Sequence, residues 1–193
     1  MILQNICDDI LLAAEAFGKT KADLVFGEGN KNAQVMLIGE APGAEETRLS
    51  RPFVGKAGQN LNEFLSVLCL SREDIYITNV VKFRPYKVSA KGTLSNRPPA
   101  KDEVSCMLPL LLREIEAVAP SVVVTLGNVP LKCLLGKQAL IGSCHAAPVK
   151  AKALSHEFTA FPLYHPASVI YNPALKSVYR EDLEKLKAFL SNI

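Results

Sequence analysis

The sequence lacks the features that mark membrane, secreted and metal-tethering proteins. Among its 193 residues no apolar run approaches the length of a membrane span, and no basic segment precedes an apolar stretch at the N-terminus. The five cysteines are widely spaced and form no C-x-x-C pair. These absences favour a cytoplasmic protein in a reducing setting, with no membrane partner and with cysteines that pack as small apolar side chains.

Internal repeats, low-complexity segments and a large charge excess are absent as well. The chain is 49% hydrophobic and carries a formal net charge of only +3. This length and composition predict one globular domain over residues 1–193, which we expect to be a monomer. The mildly basic balance permits binding to nucleic acid but does not require it.

What the sequence does contain is an alternation of strand-like and helix-like segments. Apolar runs typical of buried strands occur at residues 34–38, 75–81, 121–126 and 158–163. Helical patterns occur at residues 2–17, 58–69, 101–118, 128–136 and 173–191. This alternation predicts a parallel sheet covered by helices on both faces, with ligands at the carboxyl ends of the strands. The candidate functional loops are therefore 39–57, 79–100, 127–130 and 164–173.

The first of these loops is the most informative part of the chain. Residues 39–58 read GEAPGAEETRLSRPFVGKAG and combine four glycines, two prolines, three acids and one aromatic residue. Glycine lets backbone N–H groups approach a ligand, and proline stiffens the loop. The loop runs into a helix predicted to begin near Gly58. The combination indicates a site for an anion or polar ligand rather than a simple strand-to-helix connection.

Two other strand ends carry one conspicuous polar residue each. Asn79 can present both a donor and an acceptor to a planar ligand, although Asn is also common in turns. His165 can donate a hydrogen bond to an oxygen on which negative charge builds, although a lone His is more often a capping or core residue. From residues alone, both interpretations remain open at each position.

The loop from Lys82 to Lys101 is rich in positive charge. It holds six Lys and Arg residues within twenty positions and no acid, and Phe83 and Tyr86 lie among them. Such a segment can neutralise the phosphates of a nucleic acid. A solvated connecting loop explains the charge equally well, so the pattern by itself does not decide between the two.

Several motifs together give the chain a family resemblance. In chain order they are GEAPG, RPFVGKAGQNL, ITNVVKFRP, NRPP, PSVVVTLG and YHPAS. In this order and spacing they resemble the uracil-DNA glycosylase superfamily, and they are most similar to its bacterial and archaeal family 4 branch. The resemblance implies a three-layer α/β/α sandwich with a central four-stranded parallel sheet. It also implies that the partner is uracil-containing DNA and that the reaction is hydrolysis of the uracil N-glycosidic bond in base-excision repair.

The resemblance assigns roles to residues around a flipped uracil. Phe53 matches the aromatic residue that stacks on the base, and Asn79 matches the amide that reads its edge and rejects cytosine. Glu46 matches an acid near uracil C5, where bulk would exclude the thymine methyl group. His165 matches the histidine beside uracil O2, where a donor stabilises the departing anion. Backbone amides of the loop, including those of Ala41 and Gly43, are expected to contribute to base binding.

The remaining predicted roles concern water, sugar and phosphates. Glu40 matches the family 4 acid, a candidate for orienting water or stabilising the sugar cation, whereas other branches place an Asp at the position of Ala41. The residues expected to bind DNA are Gly58, Lys82, Arg84, Asn96, Arg97 and Ser168. No metal is expected to be needed, because hydrogen bonds can stabilise the leaving group.

The chain departs from family 4 at the ligands of that branch's 4Fe–4S cluster. The branch uses an N-terminal C-x-x-C, a Cys in its K-C-R-P stretch and a Cys in the following helix. Here Cys7 stands alone, Phe83 occupies the second place and only Cys106 matches. Because such a cluster needs four ligands, we expect no cofactor, and we expect Phe83 to fill the space where the cluster would have been.

Two functions remain open from sequence. One is a monofunctional uracil-DNA glycosylase, and the other is a non-catalytic or differently specialised superfamily member that binds DNA or a nucleobase. The sequence does not decide whether other deaminated bases are cleaved, whether single- or double-stranded DNA is preferred, or what the inserted residues 88–95 do.

Overall fold

Helices and strands alternate along the chain much as the sequence patterns predict. The computed structural model describes residues 2–192. Its strands are β1 (Glu28–Gly29), β2 (Val35–Gly39), β3 (Ile75–Asn79), β4 (Tyr86–Val88), β5 (Leu94–Asn96), β6 (Val122–Leu126), β7 (Val149–Ala153) and β8 (His156–Leu163). Its α-helices are α1 (Ile2–Glu15), α2 (Ala44–Leu49), α3 (Lys56–Leu68), α4 (Lys101–Val118), α5 (Asn128–Leu135), α6 (Ile141–Cys144), α7 (Pro166–Tyr171) and α8 (Leu175–Leu190).

The main sheet has six strands in the order β1-β3-β2-β6-β8-β7. The four inner strands β3, β2, β6 and β8 are parallel and correspond to the four predicted apolar runs. The prediction of a four-stranded sheet is wrong, because β1 and β7 add an antiparallel strand at each edge. The sequence does not predict these two edge strands, because β1 has only two residues and β7 is partly exposed and carries two lysines.

The sheet lies between two layers of helices, each with its own apolar core. Side chains of α1 and α4 pack with one face of the sheet, and those of α3 and α8 pack with the other. All five residues in each of the strands β2, β3 and β6 are buried, as expected for parallel strands covered on both sides. The three-layer α/β arrangement predicted from the sequence is therefore present. No helix within residues 2–192 has both the length and the apolar composition needed to cross a bilayer.

Two local predictions change in ways that affect the site. The helix expected near Gly58 is α3, which begins at Lys56 with Gly55 as its N-cap residue. The basic loop after β3 is not irregular: its middle forms the separate β4–β5 hairpin, in which Tyr86 pairs with Asn96 and Val88 with Leu94. The inserted residues 88–95 thus form the outer half of a hairpin.

Candidate active site

A cavity opens at the carboxyl ends of the parallel strands, where the sequence predicts the ligand site. Its volume is about 370 Å³, within the usual range for small-ligand pockets. It is lined by Ala41, Pro42, Gly43, Ala44, Glu45, Glu46, Phe53, Gly55, Lys56, Ala57, Asn79, Asn96, His165 and Ala167. Seven of the residues predicted from the sequence are therefore brought together by loops that follow β2, β3 and β8.

Phe53 and Asn79 meet at this cavity because Gly39 leaves room for them. A Cβ atom at Gly39 would overlap both the Oδ1 atom of Asn79 and the ring of Phe53. Gly39 also pairs with Asn79 in the register of β2 and β3, so the two strand ends are level. Asn79 is only 2% exposed and Phe53 only 5% exposed, so both are held inside the cavity wall rather than at its mouth.

The backbone of Phe53 is held in an unusual conformation. Its φ angle is +52°, in the left-handed region that bulky residues seldom adopt. Arg72 donates to the carbonyl oxygens of Pro52, at 3.2 Å, and of Phe53. Gly58 packs so closely on the Phe53 carbonyl that a Cβ atom there would overlap it. Such a backbone persists only when its surroundings fix it, and fixed aromatic orientation suits a stacking role.

Glu46 links two parts of the glycine-rich loop through hydrogen bonds to the backbone. Its carboxylate accepts hydrogen bonds from the backbone N–H groups of Gly43 at 3.1 Å, Val54 at 3.1 Å and Gly55 at 2.7 Å. These contacts join the start of α2 to the N-cap of α3, and Gly43, Glu46 and Gly55 all line the cavity. Glu46 therefore shapes the cavity wall, and its predicted contact near uracil C5 stays a prediction.

His165 faces Phe53 across the cavity in a defined tautomer. The two ring centroids are 5.9 Å apart and the rings are inclined by 28°. The backbone N–H of Ala167 donates to Nδ1 of His165 at 3.1 Å, which caps α7 and leaves the ring proton on Nε2. Burial lowers the pKa of His165 to about 4, with the charge of Glu46 opposing that shift. At neutral pH the imidazole is therefore uncharged and offers one N–H donor.

Glu40 lies in an adjoining cavity of about 320 Å³ rather than in the first one. Both cavities share Ala41, Pro42, Asn96 and His165 in their linings. Burial raises the pKa of the Glu40 carboxyl above its ordinary value. The half-buried carboxylate of Glu40 lines the same cavity as His165. This cavity has room for a water molecule, which the carboxylate can hold, or the carboxylate can face a developing cation.

The prediction that Lys82 binds DNA is wrong. Lys82 is 0% exposed and its Nζ atom lies 2.5 Å from Oε2 of Glu114, an acid on α4. The same ammonium donates to the hydroxyl of Thr78 at 2.5 Å and to the backbone carbonyl of Asn79 at 2.6 Å. Glu114 also accepts from the Tyr76 hydroxyl at 3.0 Å. Lys82 thus supports the end of β3 from behind and does not face solvent phosphates.

We expect Glu114→Ala to destabilise the fold by about 3–5 kcal/mol, because it leaves the buried Lys82 ammonium without its counter-charge. Urea denaturation measures the change in unfolding free energy. Asp9→Ala is the matched control. It breaks an exposed ion pair in which Oδ2 of Asp9 lies 2.8 Å from Arg113, the neighbour of Glu114 on α4, and it should cost at most about 1 kcal/mol. Equal losses in the two variants would contradict the structural role of the buried pair.

The other residues predicted to bind DNA have mixed settings. Arg84 donates to Oδ1 of Asn96 at 2.7 Å, which ties the base of the hairpin together. Arg97 makes two 2.7 Å contacts with Glu103 while also lining the second cavity. Gly58 has a packing role beneath Phe53, and Ser168 is half-buried in α7. Phosphate contacts by these residues stay predictions.

Sequence reasoning missed two residues that the structure places at the site. Lys56 is exposed, begins α3 and lines the first cavity. Arg72 holds the Phe53 backbone and lies 3.7 Å from Glu28, which also binds Arg51. Lys56 lies within the quoted PFVGKAG stretch and could have been found there. Arg72 gives no local signal, because its targets are carbonyl groups nineteen and twenty residues earlier.

The residues at the expected cluster position do not fit an iron–sulfur group. Phe83 is 0% exposed and packs against Phe17 with ring centroids 5.4 Å apart. The Cys106 sulfur lies 3.9 Å from the carbonyl oxygen of Ala13. Throughout residues 2–192 no three His, Cys, Asp or Glu side chains are grouped so that they could hold a metal ion. Four thiolate ligands are therefore not available where the family 4 branch has them.

Comparisons with known proteins agree with this arrangement. Type-4 uracil-DNA glycosylases match at 38% identity in Saccharolobus solfataricus, covering 90% of this chain and 79% of the relative, and at 36% in Archaeoglobus fulgidus, covering 87% and 82%. A type-5 uracil-DNA glycosylase of Pyrobaculum aerophilum is 33% identical over 75% of this chain and 66% of its own length.

The fold has a solved counterpart at low sequence identity. The crystal structure of wild-type Pedobacter heparinus SMUG2 superposes with a TM-score of 0.58 at 11% identity, covering 83% of this chain and 76% of that one. The family model described as the uracil DNA glycosylase superfamily matches residues 26–187, which include every strand and loop that forms the two cavities. The chain belongs to the uracil DNA glycosylase superfamily.

Proposed function

We propose that this protein is a monofunctional glycosylase that removes uracil from DNA in base-excision repair and needs no metal for the reaction. One observation carries the proposal: a single cavity holds the buried amide of Asn79, the ring of Phe53 and the N–H of a neutral His165. The relatives named type-4 uracil-DNA glycosylases support the same activity.

The cavity suits a planar base that has left the duplex. A base inside a duplex cannot reach residues buried this deeply, so the nucleotide must rotate out of the stack. Phe53 would then stack on the ring, while the Asn79 amide donates to uracil O4 and accepts from N3–H. Cytosine presents the opposite donor and acceptor at these two positions. Selectivity therefore follows from a side chain that has little freedom to turn, since it is packed against Gly39 and Phe53.

Catalysis by these residues stabilises a departing anion. As the bond between N1 and the sugar breaks, negative charge spreads to uracil O2, and Nε2–H of His165 would donate a hydrogen bond to it. A neutral imidazole suits this role, because it gives a hydrogen bond without needing to lose a proton. Backbone amides of Ala41 and Gly43 line the same cavity and can share in binding the base.

Glu40 is the candidate for the second half of the reaction. Water must attack the sugar carbon from which uracil has left, and the carboxylate of Glu40 can accept its proton or stabilise the positive sugar. The position in the adjoining cavity, next to His165, supports this role. Only the ionised carboxylate can play either role, so protonation of Glu40 abolishes its contribution to the reaction.

We therefore expect the rate of uracil release to fall as pH decreases through a folded-state pKa of Glu40 that lies above its ordinary value of 4.5. His165 does not cause this fall, because its pKa is lowered to about 4. Glu40→Gln should lose about 10²-fold in rate at neutral pH and should lose the acidic limb. Glu63→Gln is the control, since Glu63 is exposed on α3 and lines neither cavity. An unchanged limb in Glu40→Gln would exclude Glu40 as the titrating group.

A further inference from the structure

The β4–β5 hairpin is a part of the molecule that the proposed activity leaves unexplained. Within residues 2–192 its two strands pair only with each other, and all six of their residues are exposed. Val88 is 61% exposed and Leu94 is 48% exposed, although both are apolar. The two residues are direct cross-strand partners, so their side chains share one face of the hairpin. An isolated hairpin gains nothing from presenting this apolar pair to water.

The hairpin is continuous with the active site. Asn96, the last residue of β5, lines both cavities. Side chains two apart on a strand point to the same face, so Leu94 lies on the same face as Asn96, about 7 Å from it along β5. Arg84 holds the base of the hairpin through its 2.7 Å bond to Asn96. A molecule that places one group in the cavity would therefore reach the apolar pair with its neighbouring groups.

The charges around the pair indicate the kind of partner. No Asp or Glu occurs between Lys82 and Lys101. Lys91 is exposed at the tip of the hairpin beside the apolar pair, and Lys87, next to Val88 on β4, is exposed on the other face. A partner that meets two apolar side chains flanked by cations should offer apolar surfaces flanked by anions. Stacked bases between phosphate backbones have this chemistry, and apolar side chains are known to press between base steps where the duplex opens.

We propose that the hairpin docks on duplex DNA beside the extruded nucleotide, with Val88 and Leu94 against the exposed bases and Lys91, at the tip of the hairpin, near phosphates. The proposal rests on the function proposed above and adds a second contact that only a duplex requires. In a duplex, removing one base leaves its neighbours unstacked, and the apolar pair would cover them. A single strand has no such opening to fill.

The experiment compares uracil release from one oligonucleotide used single-stranded and annealed to its complement. Val88→Thr with Leu94→Thr removes apolar surface while keeping residues that favour strands. We expect this double variant to lose about tenfold or more on the duplex and less than about twofold on the single strand. Leu154→Ser is the control, because Leu154 is 50% exposed but precedes β8, at the end of the sheet opposite His165. It should match the unaltered protein on both substrates.

Outcomes for the two proposals can be told apart. If the unaltered protein releases no uracil from either the single strand or the duplex, the proposed function fails. In that event the hairpin is judged by the fluorescence of a 2-aminopurine placed beside uracil in the duplex, which reports unstacking. Equal rates of the double variant and the unaltered protein on the duplex, an equal loss on both substrates, or unaltered 2-aminopurine fluorescence in the double variant would overturn the hairpin proposal.

Discussion

Replacing Asn79 by Asp is expected to abolish the preference for uracil, with a loss of roughly 10⁴-fold in rate on uracil-containing DNA. The reason is that Asp removes the N–H donor to uracil O4 and places a negative charge against that oxygen. Asn79 is 2% exposed, so no water can replace the lost donor. Steady-state rates on matched uracil and cytosine oligonucleotides, with an abasic product as the readout, measure the change.

The matched control for this change is Asn128→Asp. Asn128 begins α5, directly after β6, and its Oδ1 atom accepts from the N–H of Ile141 at 2.9 Å. An Asp at this position keeps that acceptor and adds the same charge near the same edge of the sheet. We expect it to retain the rate and the preference of the unaltered protein. If Asn79→Asp also retained the preference for uracil, Asn79 would not be the residue that reads the base.

Replacing His165 by Ala is expected to lower the rate by about 10²–10³-fold, as for the loss of one donor to a developing oxyanion. The loss should appear mainly in kcat, because the contact strengthens only as charge builds on the leaving base. The ratio of the His165→Ala rate to the rate of the unaltered protein should also be constant at pH values well above about 4, since His165 is neutral throughout that range.

His156→Ala serves as the control for His165→Ala. His156 begins the same strand that His165 follows, and its Nε2 atom lies 2.8 Å from the carbonyl oxygen of Pro120. Loss of that contact should cost only about 1 kcal/mol of stability and leave the rate unchanged. A His165→Ala protein that keeps more than about one tenth of the rate would contradict the role of His165 as the main donor.

The sequence is a good guide to the sheet and the cavity because their residues carry local signals. Each inner strand is a short apolar run, and Asn79 and His165 stand directly at or after strand ends. Parallel strands then bring their carboxyl ends to one edge, so the convergence follows from topology. The same reasoning does not predict the edge strands. In β7, for example, lysine alternates with alanine, a pattern that is typical of an exposed segment.

Lys82 shows where a charge pattern misleads. It lies at the start of a run of six cations, yet its partner Glu114 is 32 residues further along the chain. The pairing exists only because α4 packs over the end of β3, and no local rule predicts it. Arg72 is similar, since its role depends on the backbone oxygens of Pro52 and Phe53. Phe83, in contrast, is predicted from the family resemblance to fill the space of the cluster, and it is fully buried against Phe17.

The most direct test of the account is uracil release by protein whose iron content is measured in the same sample. A labelled oligonucleotide with one uracil is incubated with the protein and then treated with alkali, which cleaves at abasic sites. We expect cleavage at the uracil position by a colourless protein with no stoichiometric iron. Folded, iron-free protein that leaves the oligonucleotide intact, or activity found only in a fraction with about four irons per chain, would contradict it.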